Sequence, residues 1–291
     1  MLPSQTLNKD ISSLNWPLDW AAQIIFRAYG VSVRVRTSSA EMLPLLIPHL
    51  PPGWKPSSGR PEVIYSLIVR GTGRRQRYSL FRDEEVVIQS ATLKQFVDSF
   101  ESNLHQYIAK TSPRRVFVHA GAVVWRGRAI IIPGRSFTGK TTLVAELVRA
   151  GAVFYSDEYA VLDERGRVHP FARPLGMRPK GGTTQRRIHP ESITAKIGGK
   201  PAPVGLILIS KYLPNARWQP RQLTKGNGVL EVLSHTVPAR TRPGSALAMI
   251  RQAVAQGEII KTARGEARPT ARLILEYLDR HCVGEAVLAP T

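Results

Sequence analysis

Residues 134–141 read Gly-Arg-Ser-Phe-Thr-Gly-Lys-Thr and satisfy every fixed position of G-x-x-x-x-G-K-[ST]. No other stretch constrains the fold as tightly, because the pattern works in only one context. Ahead of it, 128–133 (RAIIIP) is apolar and strand-like. Behind it, 141–150 (TTLVAELVRA) repeats apolar residues at helical spacing until Gly151 stops it. A strand that ends in a glycine loop and continues as a helix turns backbone N–H groups and the positive end of the helix dipole toward one small volume. Phosphate is the expected occupant. On this reading Gly134, Arg135, Ser136, Phe137, Thr138, Gly139, Lys140, Thr141 and Thr142 form a nucleotide-binding loop. Lys140 is placed to reach the β- and γ-phosphates, and the Thr141 hydroxyl to ligate Mg²⁺.

Such a loop needs a carboxylate near the metal and the reacting oxygen. The strand expected over 153–156 (VFYS) ends in Asp157-Glu158. Acids at strand ends of an α/β sheet point into the ligand crevice. One of the two can hold Mg²⁺ through water while the other accepts a proton from an attacking hydroxyl, and spacing does not say which. His119 lies in 115–124 (RVFVHAGAVV), a strand joined to 128–133 by a turn at 125–127, so a hairpin would bring it beside the loop. Arg173, Arg178, Lys180, Arg240 and Arg242 are candidates to close over phosphates or clamp an acceptor. The single cysteine, Cys282, and the histidines show no metal-ligand spacing, so no zinc site is expected.

The rest of 113–291 follows an α/β order, with strands at 160–162 and 204–210 (VGLILIS, the pattern of a central strand) and helices at 243–256 and 269–280, each opening on Pro. Residues 1–112 read as a smaller α+β region: strands at 29–37, 63–69, 77–81 and 85–89, helices at 41–49 and 92–110, and a Pro/Gly/Ser loop at 50–61. Its expected role is acceptor recognition or assembly.

The formal charge is +20, from 41 Lys+Arg against 21 Asp+Glu. Residues 111–291 hold +16 of it, and 165–225 hold 13 basic residues against one acid, Glu191. A field of that sign concentrates anions: nucleotide, and an acidic or phosphorylated acceptor. Nucleic acid is disfavoured, because aromatic residues in that stretch are few (Phe171, Tyr212, Trp218) and no recognition motif appears. One cysteine excludes a disulfide scaffold. No apolar run approaches membrane-spanning length and no signal peptide is visible, so the expected location is cytoplasmic, away from the membrane.

The stretch VHAGAVVWRGRAIIIPGRSFTGKTTLVAELVRAGAVFYSDEYAVLD resembles the catalytic domain of HPr serine kinase/phosphorylase and its kinase-like relatives. That family has a His on a strand, the glycine loop, a helix, "R-x-G", and a strand ending in paired acids. Here these are His119, 134–141, Arg149-Ala150-Gly151 and Asp157-Glu158. The segment 237–244 is similar to the family's late "V-x-P-G". The resemblance covers roughly 115–255. It implies a P-loop fold related to phosphoenolpyruvate carboxykinase, ATP and Mg²⁺ as cofactors, Asp157 as acid/base with His119 beside it, Glu158 with Thr141 on the metal, and a homo-oligomer. It also sets Arg173-Pro174-Leu175-Gly176 where family residues contact Mg²⁺ or the acceptor. The chain departs from the family at Arg135, where an acid is usual, at Glu158, where Asp is usual, and in reading Ser-Ala after Gly244. These departures argue against HPr as the acceptor. The leading reading is an ATP/Mg-dependent kinase acting on a hydroxyl of a protein, peptide or small molecule. The alternative is a nucleotide-binding regulator or scaffold without phosphotransfer.

Overall fold

The computed structural model describes residues 19–134, 138–177, 186–194 and 196–282. The chain divides into two compact units at Ile108/Ala109.

The first unit contains β1 (Ala22–Ala28), β2 (Val31–Thr37), α1 (Met42–Leu46), β3 (Lys55–Pro56), β4 (Val63–Arg70), β5 (Arg77–Arg82), β6 (Glu85–Ser90) and most of α2 (Leu93–Thr111). Its six-stranded sheet runs β3-β1-β2-β4-β5-β6. Only β2 and β4 pair in parallel. The Val alternation in β2 buries Val31, Val33 and Val35 completely. The helical spacing in α2 buries Phe96, Phe100 and Leu104. Phe100 meets the Tyr65 ring edge-on at 5.9 Å, and Tyr65 Oη donates to Asn103 Oδ1 at 2.8 Å. Sequence pattern placed the start of β2 two residues early. Tyr29 and Gly30 both take positive φ (51° and 90°) and form the hairpin turn from β1, a strand that the pattern did not announce.

The second unit contains β7 (Val116–Trp125), β8 (Arg128–Pro133), α3 (Lys140–Arg149), β9 (Val153–Ser156), β10 (Tyr159–Leu162), β11 (Val168–His169), β12 (Leu175–Met177), β13 (Arg186–Ile188), β14 (Val204–Tyr212), β15 (Arg221–Gln222), α4 (Lys225–Leu233), α5 (Pro243–Gln256), β16 (Glu258–Arg264) and α6 (Ala267–Cys282). The main sheet runs β11-β10-β7-β8-β14-β16-β15, with β9 also on β7. β8, β14 and β16 are parallel, while β7, β10, β11 and β15 pair antiparallel. The structure is therefore mixed α/β, with a mixed sheet in each unit. β12 and β13 form a separate antiparallel pair.

Period-two alternation sends each strand's residues to opposite helical layers. Ile130 and Ile132 of β8, with Leu206 and Leu208 of β14, pack against Leu143, Leu147 and Val148 of α3 and Ile274 and Leu278 of α6. Ile131 of β8 and Ile207 of β14 turn to the other face and pack with Ile250 and Val254 of α5 and Val232 of α4. At about 25 cal/mol per Å² of apolar surface, burial on both faces is the main stabilising contribution to this unit. Among the described residues no helix is long and apolar enough to cross a membrane.

Candidate active site

Parallel pairing aligns the carboxyl ends of β8, β14 and β16 on one edge of the sheet, and the glycine loop leaves β8 there. The loop entry is tied to β7 by the Gly134 N–H, which donates to the His119 carbonyl at 3.1 Å. The exit is Gly139, at φ +74°, the N-cap of α3. A left-handed N-cap favours glycine, because an L side chain meets its own backbone there. Gly121 sets how closely α3 approaches. A Cβ on it would lie 2.5 Å from Val144 Cγ2 and 3.2 Å from Lys140 Cγ. His119, Gly121 and Val123 alternate onto the same face of β7, and Val123 packs with α3. The hairpin thus places His119 on the α3 side.

Lys140 opens α3, and its Nζ donates across the loop to the Gly134 carbonyl at 3.4 Å. Burial lowers its pKa, against the opposing pull of Asp157 and Glu158. Asp157 follows β9. Its carboxylate lies among the Thr141 side chain, the Gly176 backbone, Lys140 and Arg173, each of which favours the charged form. Burial raises its pKa in spite of all four. Three separate segments therefore converge on one carboxylate: the first turn of α3, the end of β9 and strand β12.

Glu158 points to a different neighbour. Arg173, largely buried, donates Nη1 to Glu158 Oε2. The turn that carries both acids is held by Ser156 Oγ, which accepts from the N–H of Glu158 at 3.1 Å and of Tyr159 at 3.0 Å. The segment that delivers Arg173 and Gly176 is laid alongside by Phe171, whose N–H donates to the Tyr155 carbonyl at 2.9 Å. The His119 ring leans on Tyr159, centroid to centroid 4.9 Å. Its pKa is lowered by partial burial first, then by Lys140 and His235, so the imidazole is neutral at pH 7. It remains solvent-accessible.

The other sequence candidates lie as follows. Thr142 is on the exposed side of α3. Arg240 is exposed. Arg242 caps α5 and donates Nη2 to the Arg115 carbonyl at 3.3 Å, four residues before His119 on the same strand path. Arg135, Ser136, Phe137, Arg178 and Lys180 lie outside the described residues.

One residue beside the loop escaped the sequence reading. Arg264, the last residue of β16, donates Nη2 to the Thr138 carbonyl at 2.9 Å. The segment 258–264 (EIIKTAR) shows too short an apolar pattern to announce a strand by itself. The signal available was the α/β order itself, since a helix over 243–256 on a parallel sheet requires a strand to follow it.

The residues fit a magnesium nucleotide. Mg²⁺ prefers oxygen ligands, keeps several waters and takes only one or two protein groups beside substrate phosphates. The Thr141 hydroxyl is such a group, with the Asp157 carboxylate beside it. Among the described residues no group of three or more His, Cys, Asp and Glu stands together to hold a metal unaided. A groove of about 520 Å³ between β6 and α2 of the first unit, lined by Val87, Thr92, Lys94, Gln95 and Asp98 among others, gathers no comparable cluster.

No family model matches the chain. No curated protein matches it either. Among solved structures, it is similar to the HPr(Ser) kinase/phosphatase of Coxiella burnetii, at 13% identity and a TM-score of 0.34, over 58% of this chain and 98% of that one.

Proposed function

We propose that the second unit is an ATP- and Mg²⁺-dependent phosphotransferase that phosphorylates a hydroxyl. The observation that carries the reading is the convergence of Asp157 on Thr141 and Lys140 at a glycine loop that starts a helix. Each part has a task. The loop N–H groups and Lys140 hold the phosphates and offset charge as the γ-phosphoryl moves. Mg²⁺, when bound with the nucleotide at Thr141, neutralises phosphate charge. The acceptor oxygen attacks the γ-phosphorus, the bond to the β–γ bridging oxygen breaks, and ADP leaves. The hydroxyl proton passes to Asp157, whose raised pKa makes it a better base than an exposed carboxylate. Neutral, accessible His119 lines the approach.

The reading assigns Glu158 less to the metal than its position beside Asp157 implied, because Arg173 occupies it. Arg173, held by Glu158, is placed instead to steady the phosphates. The acceptor is a protein, peptide or small molecule of acidic character, drawn by the positive charge of 111–291. The first unit is proposed to recognise it or to serve in assembly.

The experiment is transfer of labelled phosphate from ATP to a panel of acceptors, with Lys140→Ala and Asp157→Asn as controls. Equal transfer by all three proteins would remove the proposal. Mg·ATP binding with no transfer to any acceptor would favour the nucleotide-binding regulator, a reading that the engagement of Glu158 by Arg173 also accommodates.

A further inference from the structure

Arg264 is 3% exposed, and the carboxylate that acts on it is Glu266, two residues along the chain. Its Nη2 bonds the Thr138 carbonyl at 2.9 Å, and its guanidinium carbon lies 5.5 Å from the centroid of the Tyr212 ring. Tyr212 is held in turn by donating its hydroxyl to Glu266 at 2.8 Å. The Arg264 Nε is buried with no hydrogen-bond partner. The same Nη2 would lie 2.7 Å from a Cβ on Gly139, so the guanidinium packs directly against the loop where any larger residue would stand.

Tyr212 and Glu266 offset part of the desolvation of Arg264, yet burial outweighs both, and burying a charge so thinly compensated is unfavourable. Replacement by an apolar residue of similar volume would relieve that cost, so its position calls for a ligand that the charge serves. The peptide between Thr138 and Gly139 shows how. A trans peptide is planar, and its C=O and N–H point in opposite directions. With the Thr138 carbonyl drawn to Arg264, the Gly139 N–H is turned away from β16, toward the side of the loop that Lys140 spans on its way to Gly134.

We infer that Arg264 is a positioning residue for the nucleotide phosphates: it grips the Thr138–Gly139 peptide from behind so that the Gly139 N–H faces the phosphate, and it supplies a buried positive charge beneath the loop. The inference rests on the reading of this loop as a nucleotide site. It requires β16, the strand farthest along the sheet from β8 among the three parallel ones, to act on a loop that β8 launches. It also explains why the loop glycine at 139 meets a side chain rather than solvent.

The test is titration of the full chain with Mg·ADP, and separately with adenosine, which lacks phosphate. The proteins are wild type, Arg264→Met, Tyr212→Leu and Lys140→Ala. Arg264→Met is expected to weaken Mg·ADP by about tenfold or more, the scale of a hydrogen bond to a charged group, and to leave adenosine unchanged. Tyr212→Leu, at a residue 40% exposed and away from the loop, is expected to weaken Mg·ADP several-fold in the same selective way. If Arg264→Met does not fold, Tyr212→Leu decides by the same selectivity. Wild-type affinity for Mg·ADP in the folded Arg264 and Tyr212 variants, with binding lost in Lys140→Ala, would overturn the inference and leave the nucleotide site standing. An equal loss for adenosine and Mg·ADP would also overturn it, as a purely structural effect. Failure of the wild type to bind any Mg·ADP would instead remove the nucleotide reading.

Discussion

Asp157 stands beside the Thr141 side chain, which holds its carboxyl down against burial and brings the end of β9 to the first turn of α3. A strand-end acid thereby meets the hydroxyl that follows Lys140. Asp157→Asn is expected to cut phosphate transfer by about 10²–10⁴-fold, the range that general-base catalysis contributes. Thr141→Val should fall in the same range, and Thr141→Ser should keep most of the rate. Transfer of labelled phosphate measures all three. Full activity in Thr141→Val would show that the hydroxyl has no part.

Gly121 is the packing counterpart of that contact. In Gly121→Ala the new methyl would start 2.5 Å from Val144 Cγ2, so α3 must shift or the β7 backbone must yield. Overpacking of this kind costs about 1–3 kcal/mol. The same shift would move Lys140, whose Cγ lies 3.2 Å from the built Cβ. Nucleotide affinity should fall with stability, and Gly121→Ala/Val144→Ala should recover part of both. Denaturant unfolding beside a nucleotide titration provides the check. A neutral single variant would refute the packing account.

The Glu158–Arg173 pair should matter to turnover more than to stability. The Glu158 side chain is 41% exposed, so solvent screens the pair and its removal is expected to change stability by no more than about 1 kcal/mol. Arg173→Met should nonetheless lower kcat/KM for ATP by about tenfold, if the guanidinium steadies phosphate. A double-mutant cycle with Glu158→Gln separates the two effects. A large loss of stability with unchanged kcat/KM would reverse the assignment.

The pKa directions fix a pH profile. His119 titrates below 6.5 and Asp157 above 3.8, so kcat/KM should fall on the acid side below pH 6.5 as these groups protonate. Lys140 titrates below 10.5, which brings the alkaline limb under the ordinary lysine value. The sign for stability follows. Between the lowered folded pKa of Lys140 and its unfolded value, the unfolded chain binds more protons, so stability rises with pH through that window. Lys140→Met should abolish that rise and raise the thermal midpoint of the ligand-free protein, while nucleotide binding is lost. An unchanged alkaline limb in a Lys140 variant that still turned over would discount the lysine.

Much of the fold was legible because periodicity is local. The alternation of β2, the helical stripe of α2, the apolar run of β14 and the span of α5 all appear as their sequences read. What escaped were elements whose existence depends on partners. β1 is a strand because β2 lies beside it. The three-residue strands β12 and β13 depend on each other, and β16 depends on β14. The site divides the same way. Lys140, Thr141 and Asp157 are candidates because they stand on or just after a motif of short spacing, and His119 is a candidate through the family resemblance. The pairing of Asp157 with Thr141, and of Glu158 with Arg173, depends on a turn held by Ser156 and on the return of the chain at Phe171.

The sequence alone determined that a strand, a glycine loop and a helix occur in that order, with paired acids after the next strand and a surplus of positive charge around them. Those are consequences of neighbouring residues and of counting. Tertiary structure alone decided which acid faces Thr141, that Gly121 lets α3 close on β7, and that Arg264 reaches the loop from two strands away. Pairing of strands far apart in the chain brings such groups together. Hydrogen-bond geometry and burial then act on distances in space, which residue spacing along the chain does not encode.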